Sequence, residues 1–427
     1  MTGRRLTSLL AYVTTAAAGT SLLTGCGVLP GATGGSREPV TVMTWAPDQT
    51  RATNMPGMPA MAQAYARWVN ANGGIGGHEL RVLTCNEQNS NAGAAACARR
   101  AVHEGAVAVV GSYSQHGRAF MAPLEAAGIP YIGGYGISED EFTSSLSYPV
   151  NGGQASLIAG NGIQLAASCR KVSLVRPDTI AGDKLPDLLN SGLRKASHRS
   201  AVDIPALEDA AEYTASADKA RHRAGDEEGC VTAVLGERTQ TFFDSFRRLP
   251  ERERKSASST EDGGGTVRIS SVLGSVGQPL IDRTGGAHSP FEGAFVTGWY
   301  PEAGDKAWDP MRKVIKEHAF VDNRVDPTDP GVQTTWIAYT VLKQVIESLD
   351  SDRVSSLQLS HALDQGVRID TGGLTPPLRW RYDDLLGARD FPRIVNHDVT
   401  FQVVRDGRLV AQKPGFVDVG ETVLTAP

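Results

Sequence analysis

One pattern governs what this chain can become. Short apolar runs rich in Val, Ile and Ala alternate with longer stretches whose apolar residues recur every three or four positions. The run "VTVMTWA" is followed by "MPAMAQAYARWVNANGG", in which Met58, Met61, Ala62, Tyr65, Trp68 and Val69 share one helical face. Gly73 and Gly74 then supply a helix stop. "HELRVLTC", "AVAVVGS" and "IPYIGGY" repeat the strand pattern, with helical "NAGAAACARRAVHEG" and "AFMAPLEAAG" between them. Most of these strand runs are continuous apolar stretches rather than alternating ones, as expected when helices cover both faces of a parallel sheet. The predicted class is therefore α/β with a mainly parallel sheet.

The rhythm restarts after about residue 150. "QASLIAGNGIQLAAS", "KLPDLLNSGLRKA" and "TQTFFDSFRRL" read as helices; "KVSLVRPD", "VTAVLGE" and "TVRISSVLG" read as strands. Two similar halves in tandem follow. Between and after these elements lie a loop rich in Ser, Glu and Gly (residues 256–265) and a late strand "FEGAFVTGWY" and helix "VQTTWIAYTVLKQVIESL". "VTFQVVRDGRLVAQ" reads as a β-hairpin turning at Asp406-Gly407. With 427 residues, 41% of them hydrophobic and 21% charged, the composition is that of a globular chain too long for one small core.

The start of the chain reads differently. Arg4 and Arg5 precede an uncharged stretch from Leu6 to Leu23, the order of an export signal. Thr, Ser, Ala and Gly fill much of that stretch, which sets it apart from a membrane span. Its end, Leu23-Thr24-Gly25-Cys26, resembles the bacterial lipoprotein box, which implies a signal peptide over residues 1–26 and lipid attachment at Cys26. Residues 27–39, "GVLPGATGGSREP", have no apolar periodicity and read as a flexible tether with a reach of roughly 20 Å.

Without Cys26, four of the five cysteines remain, an even number in an oxidising compartment. Cys85 ends a strand run and Cys97 lies in the next helix, so a bridge there closes a short loop. Cys169 and Cys230 each precede an apolar strand; adjacent parallel strands would bring them to one sheet edge, but the spacing alone leaves their pairing open. A four-cysteine metal site needs close CxxC pairs, and there are none. No cofactor or metal is expected.

The formal net charge of −5 and the shortness of the basic runs argue against nucleic acid as a partner. Enzymatic readings are thin too. "GSYSQHG" places His116 near serines but lacks the G-x-S-x-G spacing of a nucleophile elbow. "GGIGGHE" follows a helix and precedes a strand, the wrong order for a dinucleotide loop.

The stretch from Trp68 to Gly134 closely resembles the first lobe of leucine/isoleucine/valine-type solute-binding proteins of ABC transporters, the type I periplasmic binding protein fold. The "N-x-x-GG-x-x-G" turn is met by Asn70 to Gly77, the "V-x-A-V-x-G" strand by Val107 to Gly111, and "G-I-P" by Gly128 to Pro130. The resemblance implies two doubly wound parallel-sheet lobes joined by a three-crossing hinge. Residues 40–150 plus 291–345 would form the first lobe, with "FEGAFVTGWY" returning to it. Residues 151–290 plus 346–427 would form the second. It further implies a lipid-anchored monomer on the outer face of the cytoplasmic membrane, which closes on a small polar ligand (amino-acid-like, amide or peptide) and delivers it to an ABC permease. A sensor for a signalling partner, or a surface interaction protein that binds no ligand, could be built on the same fold.

In open parallel sheets ligands sit beyond the carboxyl ends of the strands. The first such loop, "VVGSYSQHG", offers Ser112, Tyr113 and Ser114, which by resemblance would hold a ligand carboxylate. The next, "GGYGISEDE", offers Gly136 and Ser138. From the second half come Asp178 and Thr179 in "RPDTIAGD" and Glu237 in "GERTQT"; the two carboxylates suit a ligand ammonium. "APDQTRATNMPG" departs from the family's "G-P-x-S-G", which leaves the ligand class open.

Overall fold

The alternating runs build two separate sheets. The structure, a computed structural model, describes residues 37–50, 53–179, 182–207, 210–225, 228–250 and 267–426. The proposed signal, Cys26 and tether residues 27–36 lie outside these residues; residues 37–39, expected in the tether, instead begin the first strand, with Arg37 opposite His78. In chain order the strands are β1 (Arg37–Ala46), β2 (His78–Asn86), β3 (Ala108–Val110), β4 (Tyr131–Ile132), β5 (Ser147–Tyr148), β6 (Lys171–Pro177), β7 (Val202–Ala206), β8 (Gly229–Ala233), β9 (Arg268–Val272), β10 (Phe295–Gly298), β11 (Asp398–Arg405), β12 (Arg408–Ala411) and β13 (Val417–Asp418).

The first sheet has the order β2-β1-β3-β4-β5 and is parallel throughout. The second runs β12-β11-β10-β9-β8-β6-β7, with β13 against β11. Its members β6 to β10 pair in parallel, whereas β11 is antiparallel to β10, β12 and β13. Read from their first strands, the two parallel parts share one winding order, which is the tandem duplication of pattern seen in the sequence. In each, the direction of winding reverses beside the first strand, so a switch point opens between β1 and β3 and another between β6 and β8.

Helix Gly57–Ala71 shows why the elements form where they do. Its buried residues include Met58, Met61, Ala62, Tyr65 and Val69, and Gly73 and Gly74 end it at φ of 89° and 81°. Tyr65 packs edge to face on Trp336 at 5.2 Å between ring centroids and lies 5.3 Å from Tyr339. Both partners belong to helix Pro330–Leu349, whose first turn is capped by Asp329 Oδ1 accepting from Gly331 N–H and Val332 N–H. The hairpin β11–β12 turns at Asp406-Gly407, both at positive φ.

The chain passes between the lobes three times: after β5 into helix Gly153–Ala166, after β10, and between helix Ser356–Asp364 and β11. The crossings are tied together. In the third, Trp380 Nε1–H donates to Pro149 O (3.0 Å), Arg393 Nε–H to Ser147 O (2.6 Å) and Asn396 Nδ2–H to Val150 O (3.0 Å), all at the first crossing or on β5.

Two segments lie elsewhere than the resemblance implies. "FEGAFVTGWY", expected in the first lobe, contains β10, which pairs with β9 in parallel, Phe295 opposite Ser270, and with β11 on its other side. It therefore completes the second sheet, and the crossing follows it. Helix Ser356–Asp364, expected in the second lobe, packs on helix Pro330–Leu349. Asp364 Oδ1 accepts from the Tyr148 hydroxyl of β5 at 3.2 Å. The first lobe thus keeps the chain past residue 346, and the second receives it again at β11.

Both cysteine pairs are bridged, Cys85 to Cys97 and Cys169 to Cys230. In the second case β6 and β8 are neighbours, with Val172 opposite Cys230, so the sheet itself brings the sulfurs together.

Candidate functional site

The carboxyl ends of the strands of both sheets meet at one seam. On the first lobe, β3 is followed by Gly111 at φ 59°, where a Cβ would lie 3.0 Å from Thr335 Cα, so only glycine lets the loop pass so close to the helix. Ser112 is fully buried and its Oγ accepts from Trp45 N–H at 3.0 Å. Tyr113 N–H donates to Trp45 O, and its hydroxyl accepts from Gln115 Nε2–H at 3.0 Å; burial pushes that hydroxyl's pKa up to about 12. Ser114 Oγ accepts from His116 N–H at 3.1 Å and donates to Glu87 Oε2 at 3.0 Å. Glu87 is itself buried, which raises its pKa although this hydrogen bond opposes the shift.

The loop after β4 is folded around a carboxylate. Glu141, 1% exposed, accepts from Gly136 N–H at Oε2 and from Ile137 N–H, Ser138 N–H and Ser138 Oγ–H at Oε1, each at 3.0 to 3.1 Å. Burial nevertheless lifts its pKa to about 7, outweighing the donors. The folded protein therefore holds this proton over a range where the unfolded chain has released it. Stability from this group is complete below about pH 4.5 and is lost as the pH rises to about 7. In urea unfolding, Glu141→Gln is expected to gain on the wild type between pH 4.5 and 7.5; a gap that stays constant with pH would refute the shift.

From the second lobe, Asp178 is exposed and its N–H continues the β6–β7 ladder to Ala206 O. Thr179 Oγ1 accepts from Gly182 N–H at 3.1 Å and so caps a turn. Glu237 lies in the short 3-10 turn Gly236–Arg238, and its side chain is outside the described residues. Lys184 pairs with Glu139 of the first lobe (2.7 Å) and with Asp390 of the third crossing (3.1 Å) at the rim of the seam.

The structure thus places the predicted loops at the seam but turns the hydroxyls of Ser112, Ser114 and Ser138 onto protein partners. What fills the seam is aromatic. Tyr135, after β4, meets Tyr113 on one side and Trp299, after β10, on the other, with centroids 5.2 Å apart in each case. Trp299 Nε1–H donates to Gly153 O at 2.9 Å. Beneath them Asn151 is a hub: its Nδ2 donates to the Tyr300 hydroxyl (3.0 Å) and its Oδ1 accepts from Gly153 N–H. The Tyr300 hydroxyl in turn lies 3.0 Å from Thr334 Oγ1 at the start of helix Pro330–Leu349. First crossing, second crossing and first-lobe helix are so joined by one buried network. Tyr135, Asn151, Trp299 and Tyr300 do not stand out in the sequence as site residues. Their available signal was position, since Tyr135 and the Trp299-Tyr300 pair each follow a strand at its carboxyl end.

Residues 50–248 match the family model described as periplasmic binding protein. Among solved structures, a substrate-binding periplasmic protein from Ralstonia solanacearum is 16% identical with a TM-score of 0.69, over 87% of this chain and 100% of that one. A leucine binding protein from Thermotoga maritima is 14% identical with a TM-score of 0.66, over 90% and 99%. A solute binding protein of an ABC transporter from R. palustris, in complex with benzoate, is 13% identical with a TM-score of 0.65, over 89% and 98%. No curated protein matches the sequence. The sequence match to a periplasmic binding protein thus spans residues 50–248, and the likeness in fold to such proteins, the leucine binding protein among them, spans most of the chain.

Proposed function

We propose that this chain, a type I periplasmic binding protein in fold, captures a small solute between its two lobes outside the cytoplasmic membrane and hands it to an ABC permease. The observation that carries this reading is the seam: residues following β3 and β4 of the first sheet meet residues following β9 and β10 of the second there, with three crossings joining the lobes. A ligand touching both lobes favours the state in which they meet, since only that state offers all its contacts. Lipid attachment at Cys26 and a flexible tether from residue 27 to the start of β1 would keep the lobes beside the permease. Tyr113 and Trp299 line the ligand site in this reading, and Thr179 shapes its second-lobe rim.

The test is thermal unfolding against amino acids, amides, short peptides and small aromatic compounds. A ligand at 100 times its dissociation constant stabilises by about 2.7 kcal/mol. One class is expected to raise the midpoint, and Trp299→Ala is expected to remove that rise. No rise across the whole panel would overturn solute capture.

A further inference from the structure

The ring that closes the seam belongs to the protein itself. Tyr135 is 4% exposed and sits edge to face between Tyr113 of its own lobe and Trp299 of the other. Its hydroxyl reaches the second lobe, where a Cβ on Gly274 would come within 2.7 Å of it. Gly274 follows β9 at φ 89°, a backbone setting that leaves the wall bare at the point where the hydroxyl arrives. Yet among the described residues that hydroxyl makes no hydrogen bond. Solvent reaches the hydroxyl, so Tyr135 fits the slot by shape and ring chemistry, with no described residue holding its polar end.

The groups that would grip an amino acid's carboxylate are, by contrast, occupied. Ser112 Oγ takes Trp45 N–H, Ser114 Oγ–H goes to Glu87, and Ser138 Oγ–H goes to Glu141. The slot offers ring faces and edges, which hold a further ring in the same edge-to-face manner.

We propose that the slot filled by Tyr135 between Tyr113 and Trp299 is the ligand's ring site, and that the solute is a planar aromatic compound with a hydrogen-bonding substituent, which enters by displacing Tyr135. The proposal rests on the solute-capture reading and names its substrate class. Because only molecules with Tyr135 swung out can accept the ring, the apparent affinity is lowered by the fraction that are open. Removing the plug then raises it.

Calorimetric titration with phenol, the bare form of the ring in the slot, tests this on the protein and on Tyr135→Ala. The alanine variant is expected to bind one phenol per chain at least tenfold more tightly than the wild type. Tyr135→Phe, which refills the slot, is expected to return to the wild-type value. If the alanine variant does not unfold cooperatively, Tyr135→Leu takes its place, with the same expectation. Phenol binding no tighter in the alanine or leucine variant than in the wild type overturns the ring site. Should an aliphatic amino acid still raise the unfolding midpoint in that case, solute capture stands and only the ligand class falls. If neither phenol nor any panel compound binds, both fall.

Discussion

Trp380→Ala is expected to lower the unfolding free energy by about 3–5 kcal/mol, the range for truncating a buried tryptophan. Trp380 is 1% exposed and lies in the long, irregular third crossing, where secondary structure supplies little. Its ring stands edge-on to Tyr148 at 6.1 Å, and its N–H satisfies Pro149 O at the first crossing. Two effects add in the variant: a cavity between the crossings, and a buried carbonyl left without its donor, worth about 1–3 kcal/mol. Trp380→Phe keeps most of the packing and loses only the N–H, so its loss should be about 1–2 kcal/mol. Urea unfolding of both variants measures this. A loss below about 1 kcal/mol for the alanine variant would mean that the third crossing is not anchored at Trp380.

That crossing also marks where the sequence stopped being readable. The apolar runs of the first half announce strands because both faces of that sheet are buried, and the helix around Tyr65 announces itself by its spacing. An apolar run, however, says that a strand is buried and not in which sheet. Phe295–Gly298 was therefore legible as a strand but not as a member of the second sheet, because the run does not say that it pairs with the preceding strand β9 and with β11 far along the chain. β7 escaped notice for another reason: it carries Pro205, tolerated because the strand lies at the edge of its sheet. Helix Thr214–Ala224 buries only Ala217, Ala220 and Ala224, too faint a stripe to register.

At the site the gap is one of partners. Loops after strands could be located from the pattern, and Ser112, Ser114 and Ser138 stand in them. Which way a hydroxyl points depends on residues far along the chain. Glu87 and Glu141 sit in polar runs, "NEQN" and "SEDE", yet both are buried and each takes a serine hydroxyl. Tyr135 and Trp299 come from loops more than a hundred residues apart, and only the three crossings bring their rings together.

The two disulfides should differ in what they contribute, and the difference follows from loop length. Cys169 and Cys230 are separated by 61 residues, Cys85 and Cys97 by 12. In the chain-entropy account, a cross-link stabilises by restricting the unfolded chain, which gives about 4 kcal/mol for the longer loop and about 3 kcal/mol for the shorter. Replacing both Cys169 and Cys230 with alanine is therefore expected to lose about 1 kcal/mol more than the same change at Cys85 and Cys97. It should also steepen the dependence of stability on urea, because the released chain exposes more surface on unfolding. Equal or inverted losses would show that native packing at the bridges, rather than loop closure, sets their worth. The longer bridge lies at the amino ends of β6 and β8, while Asp178 and Thr179 follow the carboxyl end of β6 and face the seam's side of the sheet. Its removal should therefore lower the unfolding midpoint and leave the ligand-induced rise in that midpoint unchanged. Loss of that rise along with the stability would mean that the second lobe transmits strain from one end of its sheet to the other.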